Sequence, residues 1–161
     1  MAEIEMAIDS VRVSLLNRKR VVILKEKDGD RYLPVWIGPT EADSIAASLQ
    51  NARSRQPSTH DFALSAIKAL GGAVTNVCIS DLVNNTLYAL IRIRRGVETI
   101  EVYCRPSDAI AIAVRAQAQI LASEGKVNKA FIKPDANGKL VTDLTGAPPS
   151  EGIWGSENTG V

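Results

Sequence analysis

The only histidine of the chain, His60, stands beside Asp61 in the stretch QPSTHDFALSAIKALGG, residues 56–72. An imidazole ionises near neutral pH and can take or give a proton there. Two further stretches carry acids in a similar setting: GPTEAD brings Glu41 and Asp43, and RPSD brings Asp108 directly after Arg105. Each acid falls where a helix is expected to start. GPTEADSIA and RPSDAIAIA also echo each other as proline, hydroxyl residue, acid and alanine, followed by Ile-Ala. Arg53 and Arg55 precede the second helix start and Arg105 opens the third. Arginines so placed can hold a phosphate, because the free amides of a helix N-terminus already favour an anion.

Two readings stay open for these residues. Acids in a first turn bond free amides and favour the positive end of the helix dipole, contributing about 0.3–1 kcal/mol each. Ser58-x-x-Asp61 has the spacing of a capping box, with Asp in place of the usual Glu or Gln. On a helical wheel His60 lies off the stripe formed by Phe62, Ala66 and Leu70, which leaves it either solvated or available for proton transfer. Other chemistries are excluded. The chain has no Walker phosphate loop, no G-x-G-x-x-G after a strand and no G-x-S-x-G elbow. One histidine and two cysteines do not make a common zinc framework.

The elements that must position these residues are readable from periodicity. VRVSL alternates, placing Val11, Val13 and Leu15 on one face; RVVILKEK and RYLPVWI then flank Asp28-Gly29, a hairpin pair. Pro34 cannot donate to a ladder and belongs on an edge or at a bulge. A helix from about Pro39 carries the stripe Ala42, Ile45, Ala46 and Leu49. A second runs from Thr59 to Leu70, burying Phe62, Ala66, Ile67 and Leu70, and ends at Gly71-Gly72. Strands resume as AVTNVCISDLV, TLYALIRIR and ETIEVYC, with turns at Asn84-Asn85 and Arg95-Gly96. RPSDAIAIAVRAQAQILASEG reads as one long helix, apolar nearly all round and therefore buried in a core or an interface. The expected fold is α+β: a mostly antiparallel sheet of about six strands with three helices in the order βββ-αα-βββ-α. It forms a single domain over residues 1–133, followed at 134–161 by a short hairpin around Asn137-Gly138 and a flexible tail holding Trp154.

With 161 residues, 45% hydrophobic and 23% charged, the chain can bury one sizeable core. A net charge of +1 gives no global attraction to polyanions, so any such site must be a local patch. MAEIEMAIDS lacks the basic start and apolar run of an export signal, and no apolar run approaches the ~18–20 residues of a bilayer crossing. A cytoplasmic protein is expected, with Cys78 and Cys104 as buried reduced thiols.

The segments LPVWIGPTEADSIAASL (33–49), RQPSTHDFALSAIKALGG (55–72) and VYCRPSDAIAIAVRA (102–116) resemble, in order and separation, the bifunctional nuclease family. The resemblance spans about Met6 to Phe131 and implies hydrolysis of phosphodiester bonds in DNA and RNA. The positions matching the shared motifs are Glu41, His60, Asp61, Arg105 and Asp108. On that reading Asp61 and Asp108, together with Glu41, hold one or two divalent cations, Mg²⁺ or Mn²⁺, that activate water. His60 shuttles a proton, and Arg105 neutralises charge on the phosphoryl oxygens with Arg53 and Arg55 nearby. Recognition through the backbone is blind to base sequence. The competing reading is a non-catalytic, oligomeric domain that binds nucleic acid, an anionic ligand or a protein partner. Exposed apolar residues on the sheet, Trp36, Tyr88 and Leu90, together with the apolar last helix, give the expectation of a homodimer.

Overall fold

A computed structural model describes residues 2–13, 18–52 and 54–140. Leu15, Arg53, Trp154 and the tail from residue 141 lie outside the described residues.

The chain opens with a three-stranded meander, β1 (Glu3–Val13), β2 (Arg20–Glu26) and β3 (Tyr32–Ile37), in which each strand pairs antiparallel with the next. Helices α1 (Pro39–Leu49) and α2 (Thr59–Ala69) follow. A second meander comprises β4 (Ala73–Val83), β5 (Thr86–Arg95) and β6 (Glu98–Cys104). Helix α3 (Pro106–Ala116) leads into β7 (Gln119–Ser123), a one-turn helix α4 (Glu124–Val127) and a 3₁₀ turn at Asn128–Ala130. Each meander thus ends in a helix that begins with proline, which accounts for the echo between GPTEADSIA and RPSDAIAIA.

The sheet has seven strands in the order β3-β2-β1-β7-β4-β5-β6. The expected six strands are all present, and β7 is an addition to them. It lies antiparallel to β1 and parallel to β4, so one short strand joins the two meanders. The expected single long helix is therefore corrected: it stops at Ala116, where Gln117 takes a left-handed conformation (φ 53°, ψ 39°) and Ala118 N donates back to Ala113 O. No glycine marks this stop, which a propensity reading needs. The turns expected at Asn84-Asn85 and Gly96 are present, all three residues having positive φ. Pro34 sits on β3, an edge strand, as its missing donor requires.

The main core forms between one sheet face and the three long helices, with α3 touching both α1 and α2. Ala109, Ile110, Ala111, Ile112 and Ala113 of α3 are all at most 2% exposed, so this helix is the centre of the domain. Burying each isoleucine side chain contributes about 2–3 kcal/mol. On the opposite face a smaller cluster of Val21, Ile23 and Leu140, with Trp36 packed against it, lies under the hairpin that Asp135 and Lys139 close around Gly138. Leu90 also faces this side but is buried, contrary to expectation, while Tyr88 is exposed.

The stripe assigned to α2 needs correction. Phe62 and Leu70 are 68% and 76% exposed, whereas Leu64 is buried and Ala63 and Ile67 pack against the core. The helix is rotated so that His60, one turn before Leu64, shares its inward face. Both cysteines are free, as expected; burial pushes each thiol up to about 12.

Candidate active site at three helix N-termini

Glu41, Asp61 and Asp108 each occupy the third position of their helices. Only Asp61 caps its own helix. Its backbone amide donates to Ser58 Oγ at 3.2 Å, and its Oδ2 accepts from the Ser58 amide at 2.7 Å. Helices α1 and α3 begin instead with proline after Gly38 and Arg105, with no side-chain cap. Proline has no N–H to satisfy at that position. Asp108 therefore pairs with the Arg105 side chain at its own helix start and with His60 of α2, while Glu41 reaches across to Arg105.

They meet at Arg105. Its Nε and Nη2 donate to Asp108 Oδ2 and Oδ1, both at 2.9 Å, and its Nη1 donates to Glu41 Oε1 at 3.1 Å. Asp108 Oδ1 is also 3.0 Å from His60 Nε2, and His60 Nδ1 is 3.2 Å from Ser44 Oγ. Arg115 completes the chain. Its Nη2 donates to Ser44 Oγ at 2.9 Å and Ser58 Oγ at 3.2 Å, its Nε to Asp61 Oδ1 at 2.8 Å and its Nη1 to Ala111 O at 3.1 Å. One continuous network therefore runs Glu41–Arg105–Asp108–His60–Ser44–Arg115–Asp61–Ser58 and ties all three helices together.

Exposure is uneven along it. His60 and Arg115 are 13% and 10% exposed, while Arg105 is 40% exposed and Asp61 43%. The network thus has an interior built on His60 and Arg115 and two wet ends.

Of the residues expected at a site, Glu41, His60, Asp61, Arg105 and Asp108 are joined here. Arg55 is not: it lies exposed between α1 and α2 with no bond to the network among the described residues. Arg53 is outside the described residues. Ser44 and Arg115 went unread in the sequence. A signal existed for Arg115, a lone charge in an otherwise apolar helix segment, which must find partners if it is buried. Ser44 carried none.

The carboxylates are held ionised. The Ser58 amide, Arg115 and the Ser58 hydroxyl bring Asp61 from 3.8 down to about 2. Burial alone would raise Asp108, but the bonds from His60 and Arg105 outweigh it and hold this carboxyl well below the usual range. Because both folded values lie below the unfolded ones, the stabilisation is complete above the unfolded value and disappears as pH falls through the folded one. These two carboxylates should therefore make the melting temperature fall as pH drops below 3.8, with the Asp61 share lost by about 2. Asp61→Asn should flatten part of that drop; an unchanged acid limb in this variant would refute the assignment.

A divalent cation was expected on Asp61, Asp108 and Glu41. Among the described residues no group of three or more His, Cys, Asp or Glu side chains is arranged to hold one. Both oxygens of Asp108 are engaged by Arg105 and His60, and both oxygens of Asp61 by Arg115 and the Ser58 amide. As placed, these oxygens are taken up by guanidinium groups, a backbone amide and an imidazole. No described helix is long and apolar enough to cross a membrane.

A family model described as the bifunctional nuclease domain matches residues 22–135. An uncharacterized protein of Mycobacterium tuberculosis strain H37Rv is 37% identical over 139 residues, covering 86% of this chain and 83% of that protein. Bifunctional nuclease 1 of Oryza sativa subsp. japonica is 33% identical over 103 residues, covering 62% of this chain but 31% of the plant protein. A bifunctional nuclease of Oryza minuta matches to the same extent.

Proposed function

Because this chain belongs to the bifunctional nuclease domain family, we propose that it hydrolyses phosphodiester bonds of both DNA and RNA without strong base preference. The observation that carries this reading is His60, fixed between Asp108 and Ser44 where three helices meet, with Arg105 partly open to solvent beside it. In the proposed reaction His60 moves the proton of the attacking oxygen and returns it to the leaving one. Asp108 orients the ring and balances its charge. Arg105 is anchored by Asp108 and Glu41 and turns its remaining N–H groups to the phosphoryl oxygens. Asp61 holds Arg115, and Arg55 follows the nucleic-acid backbone from the rim. Contacts of this kind read phosphate and sugar, which DNA and RNA share.

Labelled single-stranded DNA and RNA incubated with the purified protein should both be cut, and His60→Ala should lower the rate on both by on the order of 10²–10⁴-fold. The chemistry is assigned to the network as it stands, with no step through Mg²⁺ or Mn²⁺. Cleavage in excess EDTA should therefore stay within about twofold of that in either cation, a small change on the scale of a lost catalytic group. A collapse under chelation would return Asp61, Asp108 and Glu41 to a metal-ligand role. Absence of cleavage of either polymer would remove the hydrolase reading altogether.

A second reading, a non-catalytic homo-oligomeric domain for nucleic acid, an anionic ligand or a protein partner, has one observation in its favour. Val102 and Tyr103 are exposed on β6, an edge strand, and Val97 in the turn before it, where an unpaired edge invites association. A dimer in sedimentation together with no cleavage would favour it.

A further inference from the structure

Ser44 is the one member of the network whose hydroxyl touches both of its halves, Arg115 at 2.9 Å and His60 at 3.2 Å. The donors and acceptors along this path follow from elementary chemistry. A guanidinium has no acceptor, so Ser44 Oγ accepts from Arg115. An ionised Asp108 has no proton to give, so the proton on the 3.0 Å contact with His60 resides on Nε2. In the neutral ring Nδ1 is then bare, and the only proton within its reach at Ser44 is that of the hydroxyl. The result is a carboxylate that orients an imidazole, an imidazole that is base to a hydroxyl, and a cation beside the oxygen that would become an alkoxide. These are the roles that make serine a nucleophile on unrelated folds, here with the two ring nitrogens exchanged relative to the chymotrypsin arrangement.

A groove of about 540 Å³ lies between α1, α2 and α3, lined by Ser48, Asp61, Lys68 and Arg115 among others. Ser44 is one helical turn before Ser48 and touches the groove's wall through Arg115, which bonds its hydroxyl and, with Lys68, gives that wall two cations. The groove's volume is in the range of small-ligand sites.

Resting on the phosphodiesterase reading above, we infer that Ser44 is the nucleophile of that reaction and carries the cleaved strand as a covalent phosphoserine diester between two half-reactions. In the first, a bond forms between Ser44 Oγ and phosphorus while the bond from phosphorus to the leaving strand breaks. The hydroxyl proton passes to His60 Nδ1 and from there to the leaving oxygen, which departs as an alcohol. In the second, water attacks the same phosphorus and gives a proton to Nδ1. The Ser44 Oγ–phosphorus bond breaks, and Ser44 recovers that proton. The retained strand leaves with a terminal phosphomonoester. Water is the only co-reactant, and no electrons are transferred to or from an external acceptor.

The stereochemical course on the wild-type protein is decisive. An oligonucleotide with a single phosphorothioate of one configuration, cleaved in H₂¹⁸O, should give product with retained configuration at phosphorus, since two in-line displacements cancel. Direct attack by water gives inversion and overturns the inference. Acid quenching of wild type during turnover of end-labelled oligonucleotide should leave label on the protein at Ser44, and Ser44→Ala should show none while losing cleavage by on the order of 10³-fold or more. If wild type cleaves with inversion, or Ser44→Ala cleaves within about tenfold of wild type, Ser44 is not the nucleophile and the phosphodiesterase reading stands without it. If wild type cleaves neither DNA nor RNA, both fall together.

Discussion

Asp108→Asn should reduce kcat/KM on single-stranded DNA and RNA by about 10³–10⁴-fold, the scale seen when the orienting acid of an acid–histidine pair is neutralised. The change is nearly isosteric, so the effect is electronic. Asp108 accepts three bonds, two from Arg105 and one from His60 Nε2. An amide can offer one oxygen, and its NH₂ group must then face either the guanidinium or the imidazole. Facing the imidazole, it donates to Nε2, forces the ring proton onto Nδ1 and abolishes the basic nitrogen at Ser44. Facing Arg105, it sets donor against donor and loosens the guanidinium. Stability should fall by only about 1–3 kcal/mol, because the Arg105 pair with Glu41 remains. Kinetics measured well below the variant's melting temperature, beside a urea titration, separate the two effects. A variant that cleaves within tenfold of wild type would show that His60 works without Asp108, or does not work at all.

The largest loss of stability is expected at Arg115. Replacing it with Met keeps the apolar stem but removes donors to Asp61, Ser44, Ser58 and the Ala111 carbonyl. The guanidinium is 10% exposed, whereas Asp61 is 43% exposed. Arg115→Met should therefore cost about 2–4 kcal/mol by urea unfolding, since it strips partners from half-buried hydroxyls and a capping box together. Asp61→Asn should cost clearly less, because water can replace the arginine at an exposed carboxylate. Equal losses for the two variants would mean that the pair itself, rather than the buried hub, carries the energy.

How much of this was legible follows from where the information sits. The two meanders were readable because alternation, an Asn-Asn pair and Gly96 are local signals, and each corresponds to an observed strand or turn. The strand β7 was not, because QILAS continues the alanine-rich composition of α3 and the stop at Gln117 uses no glycine. Only the gap between β1 and β4 makes those residues a strand. The inward face of α2 was misread because Phe62 and Leu70 are the larger apolar groups, yet Leu64 and Ile67 meet the core. That error hid His60 as well, since its wheel position was judged against the wrong stripe. The acids at the helix starts were visible as residues, but their convergence depends on how α1 and α2 pack on α3. The arginine that joins them, Arg115, is 54 residues from Asp61 in sequence.

The position of β7 has a consequence for biosynthesis. The strand that seals the middle of the sheet spans residues 119–123 and is made after both meanders. Until it leaves the ribosome, β1 and β4 each present an open flank to other chains in the cell. A nascent chain of this protein therefore carries two incomplete half-sheets from the completion of β6 at Cys104 until β7 at Gln119–Ser123 joins them.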